Sequence, residues 1–242
     1  MPTKPWDIYA EQLLPLGYGH PLWIPEPDLA THREVHIGDV GWLSEGQLHA
    51  LFNTMSAVND PINKANLMPK GFQTFRRPEL FISKSDKITQ QIVCSRGMSA
   101  GKVDRSTAPV TYVVRFEAED AAFVALSPPG YAEDIKSRLF IYDYMRKNMD
   151  SWLELANGQR GLGLDDEDIV FVCGTVKTTH WAVAAFQGEA EGYVSTVCNA
   201  PFGEVRGFLV GVADQGLTRA SHHRTGSSPF TTISVFSSII TR

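Results

Sequence analysis

Two apolar runs stand close together in the chain, Asp168-Ile-Val-Phe-Val-Cys-Gly174 and His180-Trp-Ala-Val-Ala-Ala-Phe186, separated only by Thr175-Val-Lys-Thr-Thr179. Short runs rich in β-branched and aromatic residues, bounded by polar ones, read as buried strands. So short a connection suits antiparallel partners, because a parallel pair needs a crossover of about a dozen residues. The stretch predicts a β-hairpin buried on both faces at the centre of the domain. Lys177, Thr178, Thr179 and Trp181 fall at its tip, a mixture of cation, hydroxyls and aromatic that suits a ligand or partner surface.

Just upstream, Ile135, Leu139, Tyr142, Met145, Met149, Trp152 and Leu155 recur in steps of three and four. That spacing predicts one long amphipathic helix over about 131–156. Glu133 and Asp134 would sit at the positive end of its dipole, and Asn157-Gly158 would stop it. Ile135, Leu139, Trp152 and Leu155 are expected on one buried face.

Working outward, Glu34 to Val40 alternates as a strand ending near Trp42-Leu43. Glu45-Gly46 offers a turn, and Gln47 to Phe52 reads as a returning strand or a short helix. Residues 53–77 form a long connection, either functional or packed through Ile62, Leu67, Phe72 and Phe75. Ile88 to Cys94, Val110 to Phe116, Ala122 to Leu126, Tyr193 to Cys198 and Glu204 to Val212 read as further strands, and Ser95 to Pro109 as a polar loop. The Pro- and Gly-rich stretch 17–27 is expected to lie extended, pinned by Tyr18, Trp23 and Ile24. The fold class is therefore α+β: a mainly antiparallel sheet system with one long helix packed on it, in a single domain over 1–213. Residues 214–242 form a Ser/Thr-rich tail, either partly disordered or adding one strand.

Of 242 residues, 43% are hydrophobic and 20% charged, the balance of a chain that folds around a core of its own. The net charge is -5 and the cations are scattered, which argues against nucleic acid as a partner. No stretch is long and apolar enough for a membrane span, and the N-terminal Met-Pro-Thr-Lys-Pro-Trp lacks an apolar signal core. A cytoplasmic protein is the expectation.

The three cysteines, Cys94, Cys173 and Cys198, are too few and too widely spaced for a disulfide framework or a zinc site. His32 and His36 would be about 13 Å apart on a strand, and His222-His223 has no neighbouring ligand in sequence, so no metal is expected. No cofactor is implied. Gly158-Gln-Arg-Gly-Leu-Gly163 imitates a phosphate loop. Its order is helix, glycines, strand, the reverse of what that chemistry needs, so it reads as a helix-ending turn. Asp165-Asp-Glu-Asp168 lacks the spacing of a calcium loop and reads as a polar turn. If the hairpin turns at Val176-Lys177, Cys173 and His180 face each other about 5 Å apart, a thiol and imidazole placed for nucleophilic chemistry. A core cysteine is the competing reading, because a thiol buried among apolar groups is inert.

Several blocks together carry a resemblance: Ile8-Tyr-Ala-Glu-Gln-Leu-Leu-Pro-Leu-Gly-Tyr-Gly-His-Pro-Leu-Trp23 with Pro25-Glu-Pro27, Val35-His-Ile-Gly-Asp-Val-Gly41, and Leu51-Phe-Asn53 with Asp60-Pro-Ile-Asn63. Ser151-Trp-Leu-Glu-Leu-Ala-Asn-Gly158, Val172-Cys-Gly-Thr-Val-Lys-Thr-Thr-His-Trp181 and Val205-Arg-Gly-Phe208 complete the set. Over roughly residues 6–210 the chain resembles a large family of proteins from mushroom-forming fungi (basidiomycetes) for which no activity is established. The resemblance implies an intracellular fungal protein. The chain departs from the family pattern at Val176, where an Asp is expected, and at His180, where a small polar residue is expected.

These readings favour a binding or interaction module over an enzyme, with a protein or a small ligand as partner. A small hydrolase or transferase using Cys173 and His180 is the alternative. A lectin-like binder with Trp23 or Trp42 as its aromatic floor is the third.

Overall fold

The computed structural model describes residues 4–26, 34–64, 67–76, 79–103, 111–116, 119–127, 130–187, 192–197, 210–211, 218–223 and 233–241. In chain order its elements are α1 (Pro5–Leu13) with a 3₁₀ turn (Leu14–Leu16), β1 (His20–Pro21), β2 (Asp39–Ser44), β3 (Gln47–Asn53), α2 (Pro61–Lys64), β4 (Ile82–Ile88), β5 (Ile92–Cys94), β6 (Met98–Val103), β7 (Thr111–Phe116), β8 (Asp120–Ser127) and β9 (Gly130–Ile135). There follow α3 (Arg138–Leu153) with a π-helical turn (Glu154–Gln159), β10 (Val170–Thr178), β11 (His180–Gln187), β12 (Gly192–Val197), β13 (Val210–Gly211), β14 (Thr218–His223) and β15 (Ile233–Ile240). The fold is α+β, with antiparallel sheets of seven, four and four strands.

One ribbon crosses all three sheets. Tyr131 of β9 lies opposite Lys177 of β10, Ser127 of β8 opposite His180 of β11, and Phe116 of β7 opposite Gly192 of β12. From one sheet to the next the register shifts by a single residue. β7, β8 and β9 are thus one pass of a long antiparallel ribbon and β10, β11 and β12 the opposing pass, with α3 in the connection at its end. β4, β5 and β6 pair along one edge of this ribbon, and β13, β14 and β15 along the other. The hairpin β2–β3 joins at the start of β10, and β1 pairs with β15.

This architecture corrects the expected hairpin. β10 and β11 lie in different sheets and share no ladder; they are successive parts of one pass. Each already has both edges occupied, β10 by β15 and by β2 and β9, β11 by β14 and β8. The burial of both runs on both faces follows from that central position.

Thr179 marks where the pass changes sheets, and the register against the opposing pass slips there by one residue. Two residues, Thr178 and Thr179, separate Lys177 from His180, whereas three separate Ser127 from Tyr131, so the extra residue belongs to the opposing pass; a slip of one residue exchanges the two faces of a strand. Before it, Phe171 and Cys173 face the core under α3, while Val176 belongs to the core under α1. After it, Trp181, Val183 and Ala185 join Val176 in the α1 core, where Ile8, Tyr9, Leu13 and Trp23 pack. The one-residue slip lets both runs feed the same core across the bend. Tyr9 and Trp23 meet edge to face at 5.3 Å, so the Pro-rich segment is pinned by Trp23.

The long helix is present, with a later start than the periodicity suggests. Residues 130–135 are strand, because Ala132 pairs with Ser85 on one side and Val176 on the other. Ile141, Met145, Met149, Trp152 and Leu155 form the buried stripe. Ile135 is buried too, but from β9. Leu139 is 79% exposed and Tyr142 50% exposed, so the face proposed from Ile135 and Leu139 is corrected to one centred on Met145 and Met149. The strand expected over 34–40 begins only at Asp39, since Ile37 and Gly38 form a turn. The polar loop expected over 95–109 contains β6.

The connection after β3 is held by a buried polar knot. Asn63 Nδ2 donates to the carbonyls of Asn53, Ser56 and Ala57, while Asn53 Nδ2 donates to Asp39 Oδ1 at 2.7 Å and to the Ile37 carbonyl at 3.0 Å. Such satisfied amides fix a loop that would otherwise bury orphan backbone groups. The segment after residue 213 contributes β14 and β15, each paired with a central strand.

Deleting Thr179 should throw Trp181, Val183 and Ala185 onto the wrong face, a loss beyond the roughly 5–15 kcal/mol that stabilises a domain. Thr179→Ala keeps the residue count and should cost at most about 1–2 kcal/mol. Circular dichroism and denaturant midpoints of the two variants check this; a folded deletion variant would contradict the role assigned to the register at the bend.

Candidate functional site

The expected hairpin tip is the bend of a central pass rather than a loop end. Trp181 is 1% exposed and packs in the α1 core, and Thr178 is buried. Lys177 pairs with Glu34 at 2.9 Å, both side chains largely covered. Thr179 Oγ1 lies 2.9 Å from His180 Nδ1, a contact between adjacent residues. These four residues are thus committed to packing and local contacts at the bend.

Cys173 and His180 are not brought together as a cross-strand pair. They lie on the same pass seven residues apart, roughly 20 Å of extended chain. Burial pushes the Cys173 thiol up to about 11, with the Arg138 charge beside it acting the other way. Burial pushes Cys94 up to about 11 as well. Both are free thiols, and at neutral pH such thiols are protonated and poor nucleophiles. Cys198 and His32 lie outside the described residues, as do the side chains of His222 and His223. Among the described residues no three His, Cys, Asp or Glu side chains gather as metal ligands would.

The lectin reading loses Trp23 to burial. Trp42 stacks on His49 across β2 and β3 at 5.0 Å and is half-buried. The glycine run 158–163 ends α3 as expected: Asn157 accepts from the Leu164 N–H and donates to its carbonyl, both at 2.8 Å. Asp168 accepts from the Asp165 N–H, so the acidic run is a turn.

The site that sequence reasoning missed is a cleft of about 710 Å³ where the end of β9, the start of α3, the end of β15 and the segment following α1 converge. Leu14, Gly17, Gly19 and His20 supply one wall, Ile239, Ile240 and Thr241 another, and Asp134, Lys136, Arg138 and Tyr142 a third. Its volume falls in the range of small-molecule sites. Asp134 is the organising group. One oxygen accepts from Arg138 at 2.8 Å and the other from Lys136 at 2.6 Å. A second Arg138 nitrogen donates to Cys173 Sγ. Gly174 makes room for the carboxylate, because a Cβ there would stand 2.7 Å from Asp134 Oδ1.

Arg138 is therefore held from two sides while its own side chain stays about one-third exposed. Tyr142 lies one helical turn on, where positions i and i+4 share a face. Ser137, at the N-cap of α3, makes no capping bond; its hydroxyl accepts instead from the Phe81 N–H. Burial holds His20 below its ordinary 6.5, so it is neutral at pH 7. Two cations and one carboxylate leave the cleft with a positive excess.

No protein-family model matches the chain, and no curated protein matches its sequence. Among the described residues no helix is long and apolar enough to cross a membrane.

Two outcomes follow. Cys94 and Cys173 in the folded protein should react with a maleimide far more slowly than after unfolding, with no dependence on His180→Ala; rapid labelling of Cys173 that slows in that variant would reinstate the thiol–imidazole pair. His20, neutral when folded, should lower stability as pH falls through about 6.5, where the unfolded chain takes up a proton that the folded one refuses, until the folded value is passed. His20→Gln should flatten this part of the acid limb, as seen in denaturant midpoints at pH 7 and about 5.5.

Proposed function

We propose that this protein is a binding module and that the cleft beside Arg138 is its ligand site. The observation that carries the reading is the combination of a guanidinium fixed by Asp134 and Cys173 with the half-exposed Tyr142 and Leu14, within one concave space. Pockets that bind small molecules join an apolar lining to a few fixed polar groups. Exposed apolar side chains stabilise nothing in the free protein, whereas a ligand lying between them gains their burial.

The enzyme alternative has less support, because its thiol and imidazole stand apart and the thiol is protonated. Membership of the basidiomycete family and a cytoplasmic location remain part of the proposal, resting on the sequence blocks. A binding module needs no convergent acid and base, and among the described residues the cleft's carboxylate is already occupied by two cations.

A fragment screen followed by amide chemical shifts tests the reading. Hits should perturb Gly17, Gly19, Arg138 and Tyr142 together. Tyr142→Ala should weaken them by about 1 kcal/mol or more while changing stability by less than about 0.5 kcal/mol, because the ring is half in water. Hits clustering elsewhere on the surface would refute the assignment.

A further inference from the structure

Resting on that reading, we infer that the cleft recognises small organic anions, a carboxylate or phosphate carried on an aromatic or compact apolar body. Charge is the first argument. Asp134 is shared by Lys136 and Arg138, so one carboxylate faces two permanent cations, and the neutral His20 adds no negative charge. An anion entering the cleft restores the balance.

Geometry is the second. Arg138 uses one N–H on Asp134 and another on Cys173 Sγ, out of the five that a guanidinium carries. Its fork is pre-oriented, which suits paired hydrogen bonds to a planar carboxylate or to phosphate oxygens. Lys136 is about half exposed on a flexible stem and can turn from Asp134 to the incoming anion without breaking the Asp134–Arg138 pair. The first turn of α3 carries no acidic side chain and no side-chain cap, so its amide dipoles add to the same positive field.

The third argument is the distance between charge and apolar surface. Tyr142 follows Arg138 by four residues, a rise of about 6 Å along the helix. Leu14 faces the same space from the 3₁₀ turn. An anion held at Arg138 therefore has its body beside the Tyr142 ring and Leu14 if that body is about the size of a phenyl group. Inorganic phosphate alone would leave this surface wet.

The experiment titrates the full chain with benzoate, phenyl phosphate, benzamide and inorganic phosphate, following the amides of Gly17, Gly19, Arg138 and Tyr142 at low ionic strength. Benzoate or phenyl phosphate should saturate at those residues, with benzamide and inorganic phosphate at least about tenfold weaker. Whichever of the two anions binds more tightly identifies the headgroup. Lys136→Gln, which leaves Arg138 and Asp134 paired, should weaken the anion several-fold without affecting benzamide. Tyr142→Ala should weaken benzoate and phenyl phosphate but not inorganic phosphate. Equal affinity for benzoate and benzamide, unchanged by Lys136→Gln, would overturn the anion inference while leaving the cleft as a binding site. Equal affinity for inorganic phosphate and phenyl phosphate would overturn the apolar body. Absence of shifts at the cleft with all four probes would overturn the inference and the binding-site reading together.

Discussion

The constraint on which the structure depends is the pairing of two long passes of chain through three successive ladders. Tyr131 lies opposite Lys177, Ser127 opposite His180 and Phe116 opposite Gly192, and within each ladder every partner follows in step. Such a ribbon has few free parameters. Its register decides which residues face α1 and which face α3, and the one-residue slip between Lys177 and His180 is what lets one strand serve both sides of a bend. Without it the apolar set of β11 would point away from the core that β10 begins.

The cleft is a consequence of how that ribbon ends. β9 must stop at Ile135 for α3 to start at Arg138, and the short link between them places an acid and two bases within one turn of chain. Asp134, leaning over Gly174, draws both cations back toward the sheet. The N-terminal segment and β15 then close two sides without filling the space. Electrostatics and packing are coupled here, since the same Arg138 that gives the cleft its charge also touches the buried Cys173 of the central pass. The core cysteine that the sequence reading favoured thereby also supports a surface group.

Several features were readable before any fold was known, because each is local. The period of α3 from Met145 to Leu155, the turn at Glu45-Gly46, the return of β3 and the helix-ending glycines at 158–163 all depend on residues close in sequence. The Asn53 and Asn63 blocks were visible as recurrent features but not as partners. Their role rests on side-chain amides reaching backbone carbonyls across the loop, which periodicity does not report. Likewise Glu133 and Asp134 looked like helix-start acids because strand β9 is too short and too polar to announce itself. Only its two neighbouring strands make it one.

By itself, the sequence determined that this chain folds as an antiparallel α+β domain with one dominant helix, and that the segments around Phe171 and Val183 are buried on both faces. Apolar burial is set by composition and period, which the chain carries locally. Which strand each segment pairs with was decided by tertiary structure. The two runs read as a hairpin satisfy their hydrogen bonds with five other strands and with none of each other's, because a central position buries both faces whereas a local turn would leave two edges open. The cleft belongs to the same category. Leu14 and His20, Asp134 and Arg138, and Ile240 come from three separate parts of the chain, and no spacing rule joins the three; their proximity exists only once the ribbon has ended and the helix, the N-terminal segment and the last strand have packed around it.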